Sequence, residues 1–419
     1  MRIVIIAGDA SPMVDPSLAR GGPHQRLGCL ARALAGRGHS VEVFARRCRP
    51  GLPDRADAGP GVSVTHLGAG PLGPLDDADA PALVPQQAEA VRRDWAERGN
   101  PDVVHAHGWQ AGLVALAAAR ARPGPDVPLL VHSRLGDESA AEAGPGARGE
   151  VGVRLRRLRT LLARTADGAI ASDTDEADRL LRLGVPRERI RLVPQGVDVE
   201  RFRPAAMPVE PQPEERPAFL LTLDGHAADL RGDPEVATTV AALAAVPEAR
   251  LQVAGGPGPC PRPVSPPPHG PGASASARAG ADGRVAYLGE VPHAEVPALL
   301  AASDVLVSAP AARRHPVGAA VLEAMACGVP VVASDVGALR ELVVDRVTGL
   351  LVPPERPDLL ADALRRLLRH SARRAALGVA GADKARSRHS WDRIAGETEQ
   401  FYRDLARLGA ARRPAAAPH

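Results

Sequence analysis

Short β-branched runs alternate with longer stretches of helical periodicity, and the alternation is completed twice along the 419-residue chain. In the first round Ile3–Ala7, Val41–Phe44, Val62–His66, Val103–His105, Leu129–Val131 and Gly168–Ala171 read as strands. In the second, Phe219–Leu223, Arg250–Ala254, Val285–Leu288, Val305–Val307, Val329–Ala333 and Leu350–Val352 do so. Few folds satisfy such a pattern, because strands separated by helix-length segments pair in parallel and need crossover helices on both faces. Between the first two strands, "HQRLGCLARALAGRGHS" sets Leu27, Leu30, Ala31 and Leu34 on one helical face, and Gly36 and Gly38 end it. The expected class is α/β, with two Rossmann-like doubly wound domains facing a central cleft. Open α/β sheets bind ligands in the crevice at the carboxyl ends of their strands.

Shifts in composition mark the expected boundaries. "RFRPAAMPVEPQPEERPAF" is rich in Pro and Glu and has no period, so residues 201–217 read as a linker after a first domain of residues 1–200. The second domain is expected over 218–385, and a terminal helix over 386–408 that returns to the first. Within the second domain, "GGPGPCPRPVSPPPHGPGASASARAGADG" is low-complexity and is expected to form a disordered loop at about 257–283.

Several partners are excluded or weakened. No apolar run reaches the roughly 20 residues that span a bilayer. "MRIVIIAGDA" has no small-residue cleavage site and reads as a first strand rather than a leader. Cys29, Cys48, Cys260 and Cys327 have neither ligand nor disulfide spacing, so reduced packing thiols and a cytoplasmic setting are expected. A net charge of +3 and only 2% aromatic residues argue against nucleic acid, whose single strands need rings for stacking. The basic residues are almost all arginine, with Lys384 the single lysine. "VRLRRLRTLLARTADG" could touch an anionic membrane surface at the inner face, although a solvated helix face is the favoured reading. His105 and His107 in "HAHGW" alternate along a strand end and are read as structural and acceptor-side residues rather than metal ligands.

Two glycine positions bear on ligands. Gly21-Gly22 follows the first strand and opens the first helix, where close backbone approach and free amides suit an anion, although a plain loop pair fits equally. In "PVGAAVLEAMACG", Gly318 opens a second helix, and Glu323 lies in it among small or apolar neighbours. A carboxylate so surrounded points to a ligand rather than to an exposed helix face.

"HPVGAAVLEAMACGVPVVASDVGALRELVVDRVTGLLVPP" closely resembles the C-terminal signature of the retaining GT-B glycosyltransferases of family 4, which include sucrose-phosphate synthases and the mycothiol glycosyltransferase. "ARGGPHQRLGCLARALAGRGHSVEVFARR", "GVSVTHLGAGP", "PDVVHAHGWQAG", "RIRLVPQGVDVERFRP", "RVAYLGEVPHAEVPALLAASDVLVS" and "SWDRIA" match the family in order along nearly the whole chain. The resemblance implies a GT-B fold and metal-independent transfer from a nucleotide-sugar, such as a UDP- or GDP-sugar, to a hydroxyl of a small molecule, lipid or glycan. No cofactor beyond that donor is implied. Glu323 would accept hydrogen bonds from the ribose hydroxyls, and Gly21 and Gly22 would lie against the donor phosphates. Gly318, Ala319 and Ala320 would turn helix N-terminal amides toward the donor, and the segment from Gly289 to Val291 would border the base.

Departures from the family pattern fall at the expected chemistry. His315 stands where the family has the first glutamate of its Glu-x7-Glu motif. In "GHAADLRG" the phosphate-binding arginine is His226 and the lysine is Arg231. The family's N-domain histidine maps in "VPLLVHSRLGD" to Ser133 or Arg134, with His132 nearby as a candidate. Asp77 replaces the lysine that holds a phosphorylated acceptor in the mycothiol enzyme. Arg231 keeps a positive charge, whereas a histidine in place of arginine is shorter and, at the ordinary histidine pKa near 6.5, would be mostly neutral at pH 7 unless a phosphate raised that value. Two outcomes follow: a working transferase with an altered donor site, or a nucleotide-binding pseudoenzyme that serves as an assembly partner.

Overall fold

The computed structural model describes residues 1–8, 23–72, 75, 79–120, 127–133, 150–204, 218–224, 233–259, 283–311 and 318–412. They form two compact units. One contains the N-terminal strand, Pro23–Pro194 and the chain from Asp392 onward, and the other contains Gln195–Trp391.

The first unit is built on β1 (Arg2–Ile6), β2 (Ser40–Arg46), β3 (Arg55–Asp57), β4 (Val62–Leu67), β5 (Val103–His107), β6 (Leu129–Ser133), β7 (Gly168–Ala171) and β8 (Ile190–Leu192). Their order is β3-β4-β2-β1-β5-β6-β7-β8, and the pairs are parallel except β3 with β4. Between the strands run α1 (Pro23–Gly36), α2 (Ala80–Arg98), α3 (Trp109–Arg120), α4 (Glu150–Thr165) and α5 (Thr174–Arg182). Strand alternation divides the core. Val4, Ile6, Val104, Ala106 and Leu130 point into one cluster with residues of α2, α3 and α4. Burying each such Val, Ile or Leu side chain contributes roughly 1.5–3 kcal/mol.

In the second unit, β9 (Ala218–Asp224), β10 (Ala249–Pro259), β11 (Val285–Glu290), β12 (Val305–Ser308), β13 (Val331–Ser334) and β14 (Leu350–Val352) pair in parallel in the order β11-β10-β9-β12-β13-β14. Strand order reverses between β9 and β12, and such a switch point opens a crevice at the carboxyl edge. The helices of this unit are α6 (Pro234–Leu243), α7 (Val296–Ala301), α8 (Ala319–Ala326), α9 (Gly337–Leu342), α10 (Pro357–Arg369) and α11 (Ser371–His389), and the terminal helix α12 (Trp391–Arg412) belongs, from Asp392 on, to the first unit. One face of this sheet buries Leu306, Val331 and Ala333 against α7, α8 and α9, and the other buries Leu251, Val253, Val305 and Val332 against α6 and α10. Among the described residues no helix is long and apolar enough to cross a membrane.

Some boundaries differ from those expected. β3 and β8, "RAD" and "IRL", are too short and polar to reveal themselves by pattern. The strand expected from Val329 begins at Val331, because the Val329 amide instead donates to the Ala324 carbonyl and closes α8. β10 continues to Pro259, paired opposite Glu290, into the stretch read as loop. Phe202, expected in the linker, is 1% exposed in the core of the second unit. Residues 205–217 and 260–282 lie outside the described residues. The terminal helix begins at Trp391, after Ser390 adopts an extended conformation that breaks it from α11.

Candidate functional site

The candidate site residues that can be placed in the second unit lie at the end of β11 and on the segments that follow β11 and β12. Gly318 caps α8 with φ of 71°, a left-handed conformation open mainly to glycine, and a side chain there would also collide with Leu342. Ala319 and Ala320 form the first turn of α8, and Glu323 follows one turn later. Val321, Leu322, Ala324 and Met325 are buried around it, so packing dictates the residues on either side of Glu323. At the end of β11, Gly289 has φ of 71°, and Val291 packs against the same core that α8 covers.

Glu323 is held by a residue that the sequence reading did not assign. His293 donates from Nε2 to Glu323 Oε1 at 2.9 Å, with side-chain exposures of 10% and 15%. His293 lies in the turn between β11 and α7, and its ring meets that of Phe202 at 5.2 Å. The contact therefore joins the segment after β11 to the helix after β12, whose strands are separated by β10 and β9. One turn below Glu323, burial and the Glu323 charge push the Cys327 thiol up to about 12, so it stays protonated and unreactive.

A second arrangement spans the strand-order reversal. Asp233 caps α6 by accepting the Glu235 amide at 2.7 Å, and Pro234 fills the first helical position. An N-cap of this kind contributes about 1 kcal/mol. The Glu235 carboxylate, 8% exposed, accepts the Ala309 amide at 2.9 Å just beyond β12. "DPE" carried this signal, since Asp before Pro before an apolar periodic run is a helix start. His293 left a fainter one: a histidine after proline, just ahead of a short helix.

Arg231, His226, His315, Gly21 and Gly22, all assigned from the family pattern, lie outside the described residues, as do Asp77 and Arg134. The structure does place His132, and that placement corrects the expectation of a sugar-facing group. His132 is fully buried in β6, paired opposite Ala106, and a Cβ on Gly112 of α3 would lie 2.8 Å from its Nδ1. Neither ring nitrogen has a hydrogen-bond partner among the described residues, and burial, aided by neighbouring His105, pulls its pKa down to about 3. It is a neutral packing residue. Ser133 is paired opposite His107 on the other face, and its Oγ shares a 2.8 Å hydrogen bond with His107 Nδ1. His105 is buried against α12, sharing a hydrogen bond at 2.8 Å with the Tyr402 hydroxyl, and burial lowers its pKa to about 4.

Two doubly wound α/β units in series, the second with a glycine-capped helix and a pinned carboxylate beyond its parallel strands, define a GT-B type of architecture. Comparison with known proteins agrees. The family model described as "Glycosyl transferase 4-like domain" matches residues 21–196, and "Glycosyl transferases group 1" matches residues 234–370. A D-inositol 3-phosphate glycosyltransferase of Xylanimonas cellulosilytica is 34% identical, covering 98% of each chain. Among solved structures, sucrose-phosphate synthase from Thermosynechococcus elongatus superposes with a TM-score of 0.74 at 26% identity, covering 98% of this chain and 99% of that one. HepE of Anabaena in complex with UDP-glucose shares the fold at a TM-score of 0.61 and 19% identity, covering 98% and 100%. The chain belongs to the GT-B glycosyltransferases of family 4.

Proposed function

We propose that this protein is a retaining glycosyltransferase that moves a sugar from a nucleotide-activated donor to a hydroxyl acceptor without a metal ion. The observation that carries the reading is Glu323, a carboxylate in an otherwise small and apolar helix, held at 2.9 Å by His293. A carboxylate offers acceptors to two neighbouring hydroxyls, which suits a ribose diol. The amides that open α8 add part of the helix's roughly +0.5 charge for a diphosphate. Support also comes from the relatives named D-inositol 3-phosphate glycosyltransferase and from the UDP-glucose complex of the structural neighbour.

In the proposed reaction the acceptor oxygen forms a bond to the anomeric carbon on the face from which the phosphate oxygen departs. The acceptor proton passes to the leaving diphosphate, so no protein nucleophile is needed. Arg231 and the α8 amides stabilise the charge that develops on the diphosphate; losing one such electrostatic donor commonly lowers rate on the order of 10²–10³. Asp77 in place of a cation favours an acceptor that is not a phosphate ester.

Nucleotide release from UDP- and GDP-sugars by the purified protein tests this reading. Turnover is expected to persist in EDTA, to fall at least ten-fold in Glu323→Ala and Arg231→Ala, and to rise in His226→Arg. Product anomeric configuration, read by NMR, should match the donor. His226 and His315 are what favour the competing pseudoenzyme reading: nucleotide binding without turnover for every donor would establish it. Failure to bind UDP or GDP at all would end both.

A further inference from the structure

We infer that His293 is a positioning residue for nucleotide binding: it fixes the Glu323 carboxylate so that one oxygen is committed to the protein and the other is presented to the ligand. The inference rests on the assignment of Glu323 to the ribose hydroxyls and extends it to a residue that the family pattern did not supply.

A glutamate side chain has three rotatable bonds, and ordering it at the moment of binding opposes affinity. A site is more effective when its ligand-facing groups are locked beforehand by neighbours. At Glu323 the surrounding helix offers no lock, because its neighbours are apolar and α8 has no side-chain cap. His293 supplies one. Its Nε2 reaches Oε1 at 2.9 Å, and both side chains are largely withdrawn from water, at 10% and 15% exposure, where a charge-assisted hydrogen bond is strongest. The imidazole is itself fixed: it lies in the turn that leads into α7, and Phe202 packs against the ring at 5.2 Å. The bond engages Oε1 alone, and Oε2 has no hydrogen-bond partner among the described residues. The pair also spans the sheet, since the segment after β11 carries the donor and the helix after β12 carries the acceptor. The contact thus adds a polar tie between two elements that also share an apolar core, next to the Gly289–Val291 segment.

The test is calorimetric titration with UDP and with GDP, together with donor steady-state kinetics, on the full chain. His293→Leu keeps a filled, apolar site beside Phe202 but loses the donor, whereas His293→Gln keeps an N–H to offer. His293→Leu is expected to weaken the tighter-binding nucleotide about ten-fold, the loss of one hydrogen bond to a charged group. The donor KM should rise in parallel and kcat should change less than two-fold. His293→Gln should recover most of the affinity, and His293→Leu added to Glu323→Ala should weaken binding no further than Glu323→Ala alone. If Glu323→Ala loses affinity but His293→Leu binds like the wild type, or if the two losses simply add, the positioning role is refuted and the assignment of Glu323 stands. If Glu323→Ala itself binds like the wild type, the assignment of Glu323 falls and the inference falls with it.

Discussion

Lys384 is the only lysine in a chain with 52 basic residues, and its surroundings explain why arginine was not used there. Its ammonium lies half-buried and donates at 2.8 Å to the carbonyls of both Glu341 and Leu342, the last residues of α9. Burial lowers its pKa, with a smaller push from Arg388. A compact point charge with three free donors meets two converging carbonyls, whereas a planar guanidinium is longer and fixed in its fork. Lys384→Arg is therefore expected to destabilise the second unit by about 1 kcal/mol despite preserving charge, which thermal unfolding would register. His132 and Ser133 make a related point. Adjacent in β6, they sit opposite Ala106 and His107 respectively, and strand alternation sends them to opposite faces. Which one meets a ligand is not a property of residue type, and "VHS" reads equally well either way.

At the level of elements, glycine decides how closely helices approach. Gly378 of α11 lies against the turn that ends α8, and a Cβ there would collide with the Gly328 carbonyl oxygen, a backbone atom that cannot swing aside. Gly378→Ala should cost about 1–3 kcal/mol or more, as overpacking a tight contact does. Gly36, the last residue of α1, is the control: a Cβ there meets nothing within 4 Å, so Gly36→Ala should be neutral or stabilise by up to about 1 kcal/mol. Both comparisons are read from unfolding midpoints. The α8 contact matters because that helix carries Glu323. In the first unit α12 is bound by polar contacts as well as by packing: Glu399, its side chain 4% exposed, accepts Arg37 Nε at 2.8 Å and meets His39 Nε2 at 3.1 Å. These partners outweigh desolvation and hold the Glu399 carboxyl below its ordinary range.

Taken as a whole, the molecule is built to weaken in acid. His132 and His105 are neutral in the fold, at about 3 and about 4, because burial disfavours their charged forms. Above pH 6.5 neither state binds these protons and stability is unaffected. Below it the unfolded chain takes them up first, so stability falls, by about 2 kcal/mol for each histidine at pH 5. Glu399 acts in the same direction: its folded carboxyl is held below the usual range, and its contribution is lost as pH drops through that folded value. The melting temperature should fall steadily from pH 7 to pH 5, and His132→Leu, which leaves no proton to take up, should flatten the slope. Twelve strands and the doubly wound class could be read from the chain, since a buried parallel strand must be an apolar run and a crossover helix must carry its own period. Glu323 and Gly318 were legible as well, an acid standing out in a small, apolar helix and the glycine that opens it. The strands "RAD" and "IRL", the burial of His132 and the engagement of Glu323 by His293 were not. Local pattern is dictated by neighbours three or four residues away, whereas His293 and Glu323 are 30 residues apart. Their meeting depends on sheet order and helix placement, which exist only once the chain has packed.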